Sequence, residues 1–223
     1  MIEFPHIEAV YKKDTKGKFI EGKWSFPEFE YLKDNIWLWT EKVNGQNIRM
    51  SWIDEKRNID GRTDEANLRK DLIDYLEHLF PMDILKRHYP KTNICLFGEG
   101  YGAGIVKGSG NYIKEGYGFV LFDVIVEGLD GHENKKWWWL KRNNIEDVAK
   151  LWTIQAVPII REGTLTEAIE FTKKGFKSTW GDFQAEGLVA RPKTDLLLRN
   201  GDRVITKIRT DHFVNANSLR QIG

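Results

Sequence analysis

The chain has 223 residues, of which 41% are hydrophobic and 30% charged, and its net charge is +1. This length allows one large or two small domains with a buried core, and the near-neutral charge excludes nucleic-acid binding through an overall excess of positive charge. No stretch approaches the ~18 apolar residues of a membrane-spanning helix, and the N-terminus lacks the pattern of a secretory signal, so we expect neither membrane insertion nor secretion.

Strand-like stretches outnumber helical ones along the chain. In chain order the predicted strands are 36–42, 47–53, 93–98, 117–127, 185–191, 195–199 and 203–209. Asn200-Gly201 joins the last two, and this dipeptide is the strongest short signal of a β-hairpin.

Three segments carry helical signals. Residues 65–80 repeat leucine at helical spacing, and residues 144–152 repeat apolar side chains in the same way. Thr164 and Glu167 form a capping box that opens a third helix, which ends near Gly175. Because helices and strands do not alternate strictly, the pattern predicts an α+β fold with mainly antiparallel sheet.

The segment WLWTEKVNGQNIRM places Lys42 at the mouth of a turn at Asn44-Gly45, directly after an apolar strand. By strand alternation Lys42 shares a face with Thr40 and Leu38. Taken alone, this motif is also what an ordinary exposed lysine beside a hairpin turn would look like.

Three further polar motifs lie on predicted strands. Glu99 stands between two glycines in NICLFGEGYGAG, and Phe119 lies in GYGFVLFDVIV, which alone would simply be a central core strand. Glu186 interrupts the apolar run QAEGLVARP, while Lys207 and Arg209 share a face of the closing strand RVITKIR. A buried charge of this kind is unfavourable without a partner, so we expect each of these charged residues to have one.

The glycines around Glu99 also have the spacing of the dinucleotide-binding fingerprint, with Gly98, Gly100 and Ala103 followed by Asp123. That fingerprint requires a helix to begin at the glycines, because the helix N-terminus holds the pyrophosphate. The residues that follow, IVKGSGNYIKEGYG, show no helical period. The context therefore excludes this interpretation.

Taken in order, the motifs Lys-x-x-Gly, Phe-Gly-Glu, Phe-x-x-Phe-Asp, Glu-Gly-Leu-Val and Lys-x-Arg resemble those of the covalent nucleotidyltransferase superfamily, which includes ATP-dependent DNA and RNA ligases and mRNA capping enzymes. The strings EKVNGQNIR, DGRTDEAN, LFGEG and EGLVARP are most similar to the nick-sealing RNA ligases of phages and RNA editing. The resemblance covers about residues 37–213. It implies an α+β, ATP-grasp-like ligase adenylation domain over residues 1–223, with two mainly antiparallel sheets, flanking helices and an ATP groove between the sheets.

The resemblance also implies an activity, the ATP-dependent joining of RNA 5′-phosphate and 3′-hydroxyl ends through a lysyl-AMP intermediate and a 5′-adenylated strand. Lys42 would attack the α-phosphate of ATP. An ordinary lysine is protonated near neutral pH, and neighbouring cations such as Lys207 and Arg209 favour the neutral, nucleophilic amine. The same cations, with Mg²⁺ or Mn²⁺, would neutralise the phosphates during transfer.

The resemblance also implies nucleotide-binding roles for individual residues of this chain. Glu41 stands where the family reads the adenine edge, and Glu99 where a carboxylate accepts from the ribose hydroxyls. Phe119 matches the aromatic ring that stacks on adenine. Lys207 matches a lysine that contacts the phosphates.

The remaining roles concern phosphates, metal and the RNA end. Asn47 matches an asparagine that helps to arrange the phosphates, and Arg62 an arginine that contacts ribose and the 3′-OH end. Asn44 stands where much of the superfamily has an aspartate that contacts metal-bound water. Asparagine brings an acceptor oxygen but no charge, so more of the metal organisation would fall to Glu186, with Asn44 acting through water.

The expected partners are RNA ends, with nicked duplexes and DNA ends as alternatives. A minimal DNA ligase and a non-catalytic nucleotide-binding relative are the rival functions. The segments NKKWWWLKRNN and YKKDTKGKF combine basic and aromatic residues as nucleic-acid surfaces do, although the tryptophans would also suit a core.

Two further expectations concern the setting of the protein and the end of its chain. The lone cysteine, Cys95, cannot form an intrachain disulfide, and we expect a monomer in the cytoplasm, or in the host cytoplasm for a phage-encoded protein. Only 14 residues follow Arg209, so we expect no C-terminal oligonucleotide-binding domain and a weak, salt-sensitive grip on nicked duplexes.

Overall fold

The computed structural model describes residues 2–129 and 134–213. Contacts between residues divide the chain into two compact units. Unit 1 comprises Met1–Phe4 and Asn44–Val157, and unit 2 comprises Pro5–Val43 and Pro158–Gly223. The chain therefore passes from unit 2 into the main part of unit 1 at Asn44 and returns to unit 2 at Pro158.

The helices and strands of the described residues follow one another in chain order. They are β1 (Tyr11–Lys13), β2 (Phe19–Trp24), α1 (Pro27–Tyr31), β3 (Trp37–Lys42), β4 (Gln46–Ile53), β5 (Lys56–Gly61), α2 (Lys70–Leu79), α3 (Met82–His88), β6 (Ile94–Gly102), β7 (Tyr117–Leu129), β8 (Lys135–Trp139), α4 (Arg142–Leu151), β9 (Gln155–Ala156), β10 (Ile159–Gly163), α5 (Leu165–Lys174), β11 (Gly187–Pro192) and β12 (Thr206–Arg209). Single 3₁₀ turns lie at Ser109–Asn111 and Thr210–His212.

Within its described residues, unit 1 is built on a six-stranded sheet in the order β5-β4-β6-β7-β8, with β9 pairing with β7. The pairs are antiparallel except that of β7 with β9. Ile48, Met50 and Trp52 alternate along β4 and are buried in one cluster with Leu72 and Leu76 of α2. Side chains two apart on a strand and four apart on a helix share a face, so the two apolar faces pack together.

The opposite face of β4 carries a buried arginine. The Arg49 side chain is 1% exposed, lies 3.2 Å from the Asp60 carboxylate, and donates hydrogen bonds to the Asp64 carboxylate and the Ile2 carbonyl. A buried guanidinium is unfavourable without acceptors, and here the acceptors come from β5 and the segment after it. Arg49 therefore fixes the segment in which Arg62 lies.

Unit 2 contains a four-stranded antiparallel sheet in the order β10-β3-β11-β12 and a separate β1–β2 hairpin. Trp37 and Trp39 of β3 are fully buried together with Leu165 and Ile169 of α5. These tryptophans alternate with less buried side chains along β3, so one face of the strand packs into the core and the other carries the polar residues.

The predicted fold class, α+β with mainly antiparallel sheet, is confirmed. The predicted capping box is also present, because Thr164 Oγ1 accepts from Glu167 N at 3.1 Å and the Glu167 carboxylate accepts from Thr164 N at 2.8 Å. The expectation of one domain over residues 1–223 stays a prediction.

The predicted hairpin of strands 195–199 and 203–209 forms only next to its turn. Leu198 N donates to the Asp202 carbonyl at 2.7 Å, Val204 N donates to the Leu196 carbonyl at 2.9 Å, and an antiparallel bridge joins Leu197 and Arg203. Leu198 packs against the core cluster of unit 2 and Leu197 is 63% exposed, but neither run forms a strand over its predicted length. The following strand is shorter, β12, and pairs with β11 instead.

The predicted helix 65–80 begins only at Lys70. Arg69 is extended, and its guanidinium is held by the Asp71 carboxylate and the Gly104 carbonyl, which ends the preceding non-helical segment. The short elements β1, β2, β5, β8, β9, β10, α1 and α3 were not predicted. Across the described residues, no helix has the length and apolar character that crossing a membrane would require.

Candidate active site

β3 divides its polar residues between two faces, as the sequence predicts. Trp37, Trp39 and Glu41 are no more than 1% exposed, whereas Thr40 and Lys42 are half-buried on the other face. The alternation follows from the two-residue repeat of a strand. Lys42 therefore ends β3 on the face away from the tryptophan core.

Lys42 lies in a cluster of charges in unit 2. Its Nζ is 2.8 Å from Glu186 Oε2, and Arg209 Nε is 3.4 Å from Glu186 Oε1, so one carboxylate contacts both cations. The Glu186 side chain is only 12% exposed, which strengthens these interactions relative to those at an open surface. Arg209 is also held in a fork by Asp211, a partner that sequence reasoning missed.

The strand register explains why these residues meet. Gly187 of β11 lies opposite Lys42 of β3 on one side and opposite Arg209 of β12 on the other. A Cβ at Gly187 would lie 2.1 Å from the Ile208 carbonyl oxygen, so only glycine allows β11 and β12 to approach this closely. Glu186, which directly precedes Gly187, therefore lies beside a row of three paired residues whose central member, Gly187, has no side chain.

Lys207 lies two residues before Arg209 on β12 and pairs with Val189 of β11. Burial lowers the pKa of Lys207, and the positive charges of Lys42, Arg209 and Lys13 lower it further, against the opposing charge of Glu8. Like charges held together in this way create a positive potential that suits an anionic ligand such as a phosphate. Lys42, Lys207 and Arg209 therefore project from one face of this sheet, and Glu186 contacts the first and the last of them.

Glu41 lies on the opposite face of β3 from Lys42, and three hydrogen bonds hold its carboxylate. Its carboxylate accepts hydrogen bonds from Ser178 Oγ at 2.5 Å, Thr179 Oγ1 at 2.7 Å and Thr179 N at 2.9 Å. These bonds fix the loop that leads to Glu186. Sequence reasoning missed Ser178 and Thr179 because they are distant in sequence and lie in no recognisable motif. The predicted contact of Glu41 with the adenine edge stays a prediction.

In unit 1 the turn after β3 is held by close backbone approach. Glu99 Oε1 accepts from Gly45 N at 3.1 Å, and a Cβ at Gly45 would lie 2.3 Å from the Gly100 carbonyl oxygen. Asn44 donates from its backbone to Tyr112 Oη at 3.0 Å and from its side chain to the Lys107 carbonyl at 2.9 Å. Glu99 and Asn44 are thereby fixed by the same turn, and Gly45 is required for it.

Phe119 lies over a glycine of the neighbouring strand. A Cβ at Gly98 would come within 2.2 Å of the Phe119 ring, and Phe80 meets the ring edge-on at 5.5 Å. Phe119 is 4% exposed and belongs to the core cluster of unit 1. The core-strand interpretation is therefore correct for its packing, and its stacking on adenine stays a prediction.

Two other predicted residues of unit 1 differ in their surroundings. Asn47 pairs with Glu99 across β4 and β6, and its Oδ1 is buried without a hydrogen-bond partner among the described residues. Such an orphaned oxygen is unfavourable unless a ligand or water donates to it. Arg62 is exposed in the bend after β5, on the segment that Arg49 holds through Asp64.

The chain was compared with known proteins. The sequence model of the RNA ligase family matches residues 35–209, which includes every residue considered above except the N-terminal segment, Asp211 and Lys13. No curated protein sequence gives a significant match.

Among solved structures, an apo variant of a Naegleria gruberi RNA ligase is 18% identical, with 99% of this chain and 59% of that chain covered and a TM-score of 0.60. A variant of the same ligase with ATP and Mn is 17% identical, with 99% and 58% covered and a TM-score of 0.63. The ligase with PPi is 18% identical, with 98% and 64% covered and a TM-score of 0.60. This chain spans about three fifths of the length of those chains, and the similarity shows a shared fold.

Proposed function

This chain belongs to the RNA ligase family, and we propose that it is an ATP-dependent RNA ligase that joins 5′-phosphate and 3′-hydroxyl ends. The observation that carries the proposal is the cluster of Lys42 with Glu186, Lys207 and Arg209 on one face of one sheet. A lysine amine set among further cations is suited to attack a phosphate. The solved relatives with ATP and Mn and with PPi support the choice of ATP as the nucleotide.

In the first proposed step, Lys42 Nζ attacks the α-phosphorus of ATP. A P–N bond forms, the bond from the α-phosphorus to the pyrophosphate oxygen breaks, and pyrophosphate leaves. An oxygen of the RNA 5′-phosphate then attacks the AMP phosphorus, and the P–N bond breaks and releases the Lys42 amine. The 3′-hydroxyl of the other end attacks the adenylated 5′-phosphate, a phosphodiester bond forms, and AMP leaves. The Lys42 amine must be neutral to attack, and Glu186 Oε2, which lies 2.8 Å from Lys42 Nζ, is positioned to accept a proton from it.

The cations of unit 2 are proposed to stabilise the transferring phosphates. Lys207 and Arg209 already project from the same sheet face as Lys42, so the strand pairing need not change to bring the three cations together. Preorganised charges of this kind are worth most where charge develops in the transition state. The lowered pKa of Lys207 reflects the same concentration of positive charge.

The residues present fit a divalent cation, Mg²⁺ or Mn²⁺. In unit 2, Glu186 is the carboxylate proposed to hold it, and such cations are commonly bound by one or two carboxylates together with substrate phosphates. In unit 1, Asn44 is proposed to act on the metal through water, and Asn47, whose buried Oδ1 has no hydrogen-bond partner among the described residues, is proposed to help to arrange the phosphates. When bound, the cation would neutralise phosphate charge.

The nucleoside roles are proposed for unit 1. Glu99, held by Gly45 N–H, would accept from the ribose hydroxyls, and Phe119 would stack on adenine. Arg62 is exposed and would contact the RNA 3′-OH end. In unit 2, Glu41 would reach the adenine edge only by exchanging its bonds to the loop that it holds. The same proposal treats residues 1–223 as one adenylyltransferase domain acting as a monomer in the cytoplasm.

Self-adenylation tests the proposal. The wild-type chain, incubated with Mg²⁺ and ATP labelled at the α-phosphate, should acquire a covalent label, and Lys42→Ala should acquire none. Lys193→Ala is a matched control in the same unit, because Lys193 is exposed and paired only on the surface with Glu162. A normal yield of adduct in Lys42→Ala would overturn the assignment, and sealing assays on RNA and DNA ends then identify the substrate.

A further inference from the structure

The β1–β2 hairpin, residues 11–24, is an unusually basic surface. Five lysines project from it, all exposed, against two carboxylates, which gives a net charge of +3. The lysines are Lys12, Lys13, Lys16, Lys18 and Lys23. The charge is concentrated on a segment of a chain whose total charge is only +1. Such a local excess attracts polyanions even when the whole protein is nearly neutral.

The two carboxylates of the hairpin are occupied elsewhere. Asp14 Oδ1 accepts from Lys16 N at 2.8 Å and Lys18 N at 2.9 Å, and so closes the turn. Glu21 pairs with Lys173 of α5. The acidic groups therefore serve the fold of unit 2 rather than neutralising the hairpin lysines one by one.

Aromatic residues anchor the hairpin and direct its lysines outward. Tyr11 is buried with its ring 5.1 Å from that of Trp24, and the Phe19 ring lies 3.9 Å from that of His212. Lys13 lies over the outer side of the Phe19 ring at 4.8 Å. The hairpin thus presents its charges from a fixed support, which lowers the entropic cost of binding.

The hairpin also continues directly from the edge that carries the proposed phosphate-binding cations. Lys207 N donates to the Glu8 carbonyl at 3.0 Å, and Val10 N donates to the Lys207 carbonyl at 3.2 Å. The positive charge of Lys13 contributes to the lowered pKa values of both Lys207 and His212. Lys13 of the hairpin is therefore close enough to interact electrostatically with the cations of β12 within unit 2.

The other basic-aromatic segment, around β8, is used differently. Lys135 pairs with Glu127 at 2.9 Å, and Arg142 pairs with Glu146 at 2.7 Å and donates to the Val157 carbonyl. Trp139 packs on Phe97 at 5.6 Å, as the core interpretation of the tryptophans predicts. Lys135, Arg142 and Trp139 are thus engaged in contacts within unit 1, so the hairpin is the stronger candidate for binding a polyanion.

We propose that the β1–β2 hairpin binds the sugar-phosphate backbone of an RNA strand beside the Lys207–Arg209 edge. The choice of RNA rests on the proposed function, whereas the preference for a phosphate backbone rests on the lysines. Lysine is a point charge without the fixed fork that reads bases, so the contact is independent of sequence. Each lysine–phosphate contact to a single strand contributes about 0.7 to the slope of log affinity against log salt.

Neutralising three outward lysines tests the proposal. The triple variant Lys12→Gln, Lys16→Gln, Lys18→Gln keeps Lys13, the aromatic anchors and Asp14. Its matched control, Lys56→Gln, Lys70→Gln, Lys86→Gln, removes the same charge from exposed positions of unit 1. Binding of a fluorescent single-stranded RNA is measured from low to physiological salt. The hairpin triple should bind roughly tenfold more weakly at low salt, with a slope smaller by about 2, while the control retains the wild-type slope.

Labelled ATP, in the absence of RNA, distinguishes this proposal from the proposed function. Adenylation of Lys42 needs no RNA and should keep its wild-type yield in the hairpin triple. An unchanged salt slope, an equal loss in both triples, or a loss of adenylation in parallel with RNA binding would each overturn the hairpin proposal. If instead the wild type is not adenylated but its RNA binding depends on the hairpin, the ligase assignment fails and the hairpin proposal stands.

Discussion

The two units place the predicted site residues in different physical settings. In unit 2 the residues are charged: Lys42 and Arg209 contact the Glu186 carboxylate, and Lys207 lies on the same sheet face as these two cations. In unit 1 they are a phenyl ring, two amides, one carboxylate and the exposed Arg62, and the ring and the carboxylate lie where glycines let neighbouring groups approach closely. Under the proposed roles, phosphate chemistry would depend on the arrangement of charge, and nucleoside recognition on shape.

This contrast has a simple corollary for substitution. A change that keeps shape but removes charge should damage unit 2 most, because electrostatic interactions in half-buried clusters are strong. A change that keeps charge but alters volume should damage unit 1 most, because its interior is closely packed.

Phe119→Ala should lower the free energy of unfolding by about 3–5 kcal/mol, since it removes a nearly buried ring from the core of unit 1. Phe119→Leu keeps most of the volume and should cost much less. If the ring also stacks on adenine, Phe119→Leu should raise the KM for ATP roughly three- to tenfold. Urea unfolding and adenylation kinetics measure the two effects. A wild-type KM in the leucine variant would confine Phe119 to packing.

Glu186→Gln should slow adenylation by about 100-fold with little loss of stability, since it keeps the shape but removes the charge between Lys42 and Arg209. Single-turnover adenylation across a range of Mg²⁺ concentrations measures it. Glu162→Gln, on β10 of the same sheet, removes an exposed carboxylate paired with Lys193 and serves as the control. Equal rates for both variants would refute the dependence of unit 2 on this charge.

Asn44→Asp should cost about 1 kcal/mol of stability, because the amide that donates to the Lys107 carbonyl is replaced by an acceptor. The added negative charge should also lower the Mg²⁺ concentration needed for half-maximal adenylation. Asn44→Ala loses the same hydrogen bond without adding charge, so the difference between the two variants isolates the electrostatic effect. An unchanged or raised Mg²⁺ requirement in Asn44→Asp would show that this side chain does not act on the metal.

The sequence was sufficient for features encoded by local repeats. The alternation of β3, the capping box at Thr164 and the shared face of Lys207 and Arg209 all follow from short-range rules, and all are present. The ordered motifs also led to the correct family and fold. Local rules were only partly right at Asn200-Gly201, where the turn and its nearest pairing formed but the flanking runs did not extend as strands over their predicted length.

The missed features depend on contacts between distant residues. Glu41 meets Ser178 and Thr179 across more than a hundred residues, and no local pattern marks either hydroxyl as its partner. The sequence marked the glycines beside Glu99, but not that Gly98 makes room for the Phe119 ring. The short exposed strands β1 and β2 were missed because they bury few side chains, and alternation is visible only where one face is buried.

The interruption of unit 2 by most of unit 1 has a consequence for biosynthesis. β3 leaves the ribosome on the order of 100 residues before its partner β10, and at typical elongation rates this delay is roughly 6–23 s. Meanwhile Trp37 and Trp39 have no sheet to pack into. Glu41 N later bonds the Pro158 carbonyl at 3.1 Å, so the long intervening segment must bring its ends together. Prior folding of residues 44–157 would turn this closure of a long, flexible loop into that of a short one, so β3 would join β10 after that segment has folded.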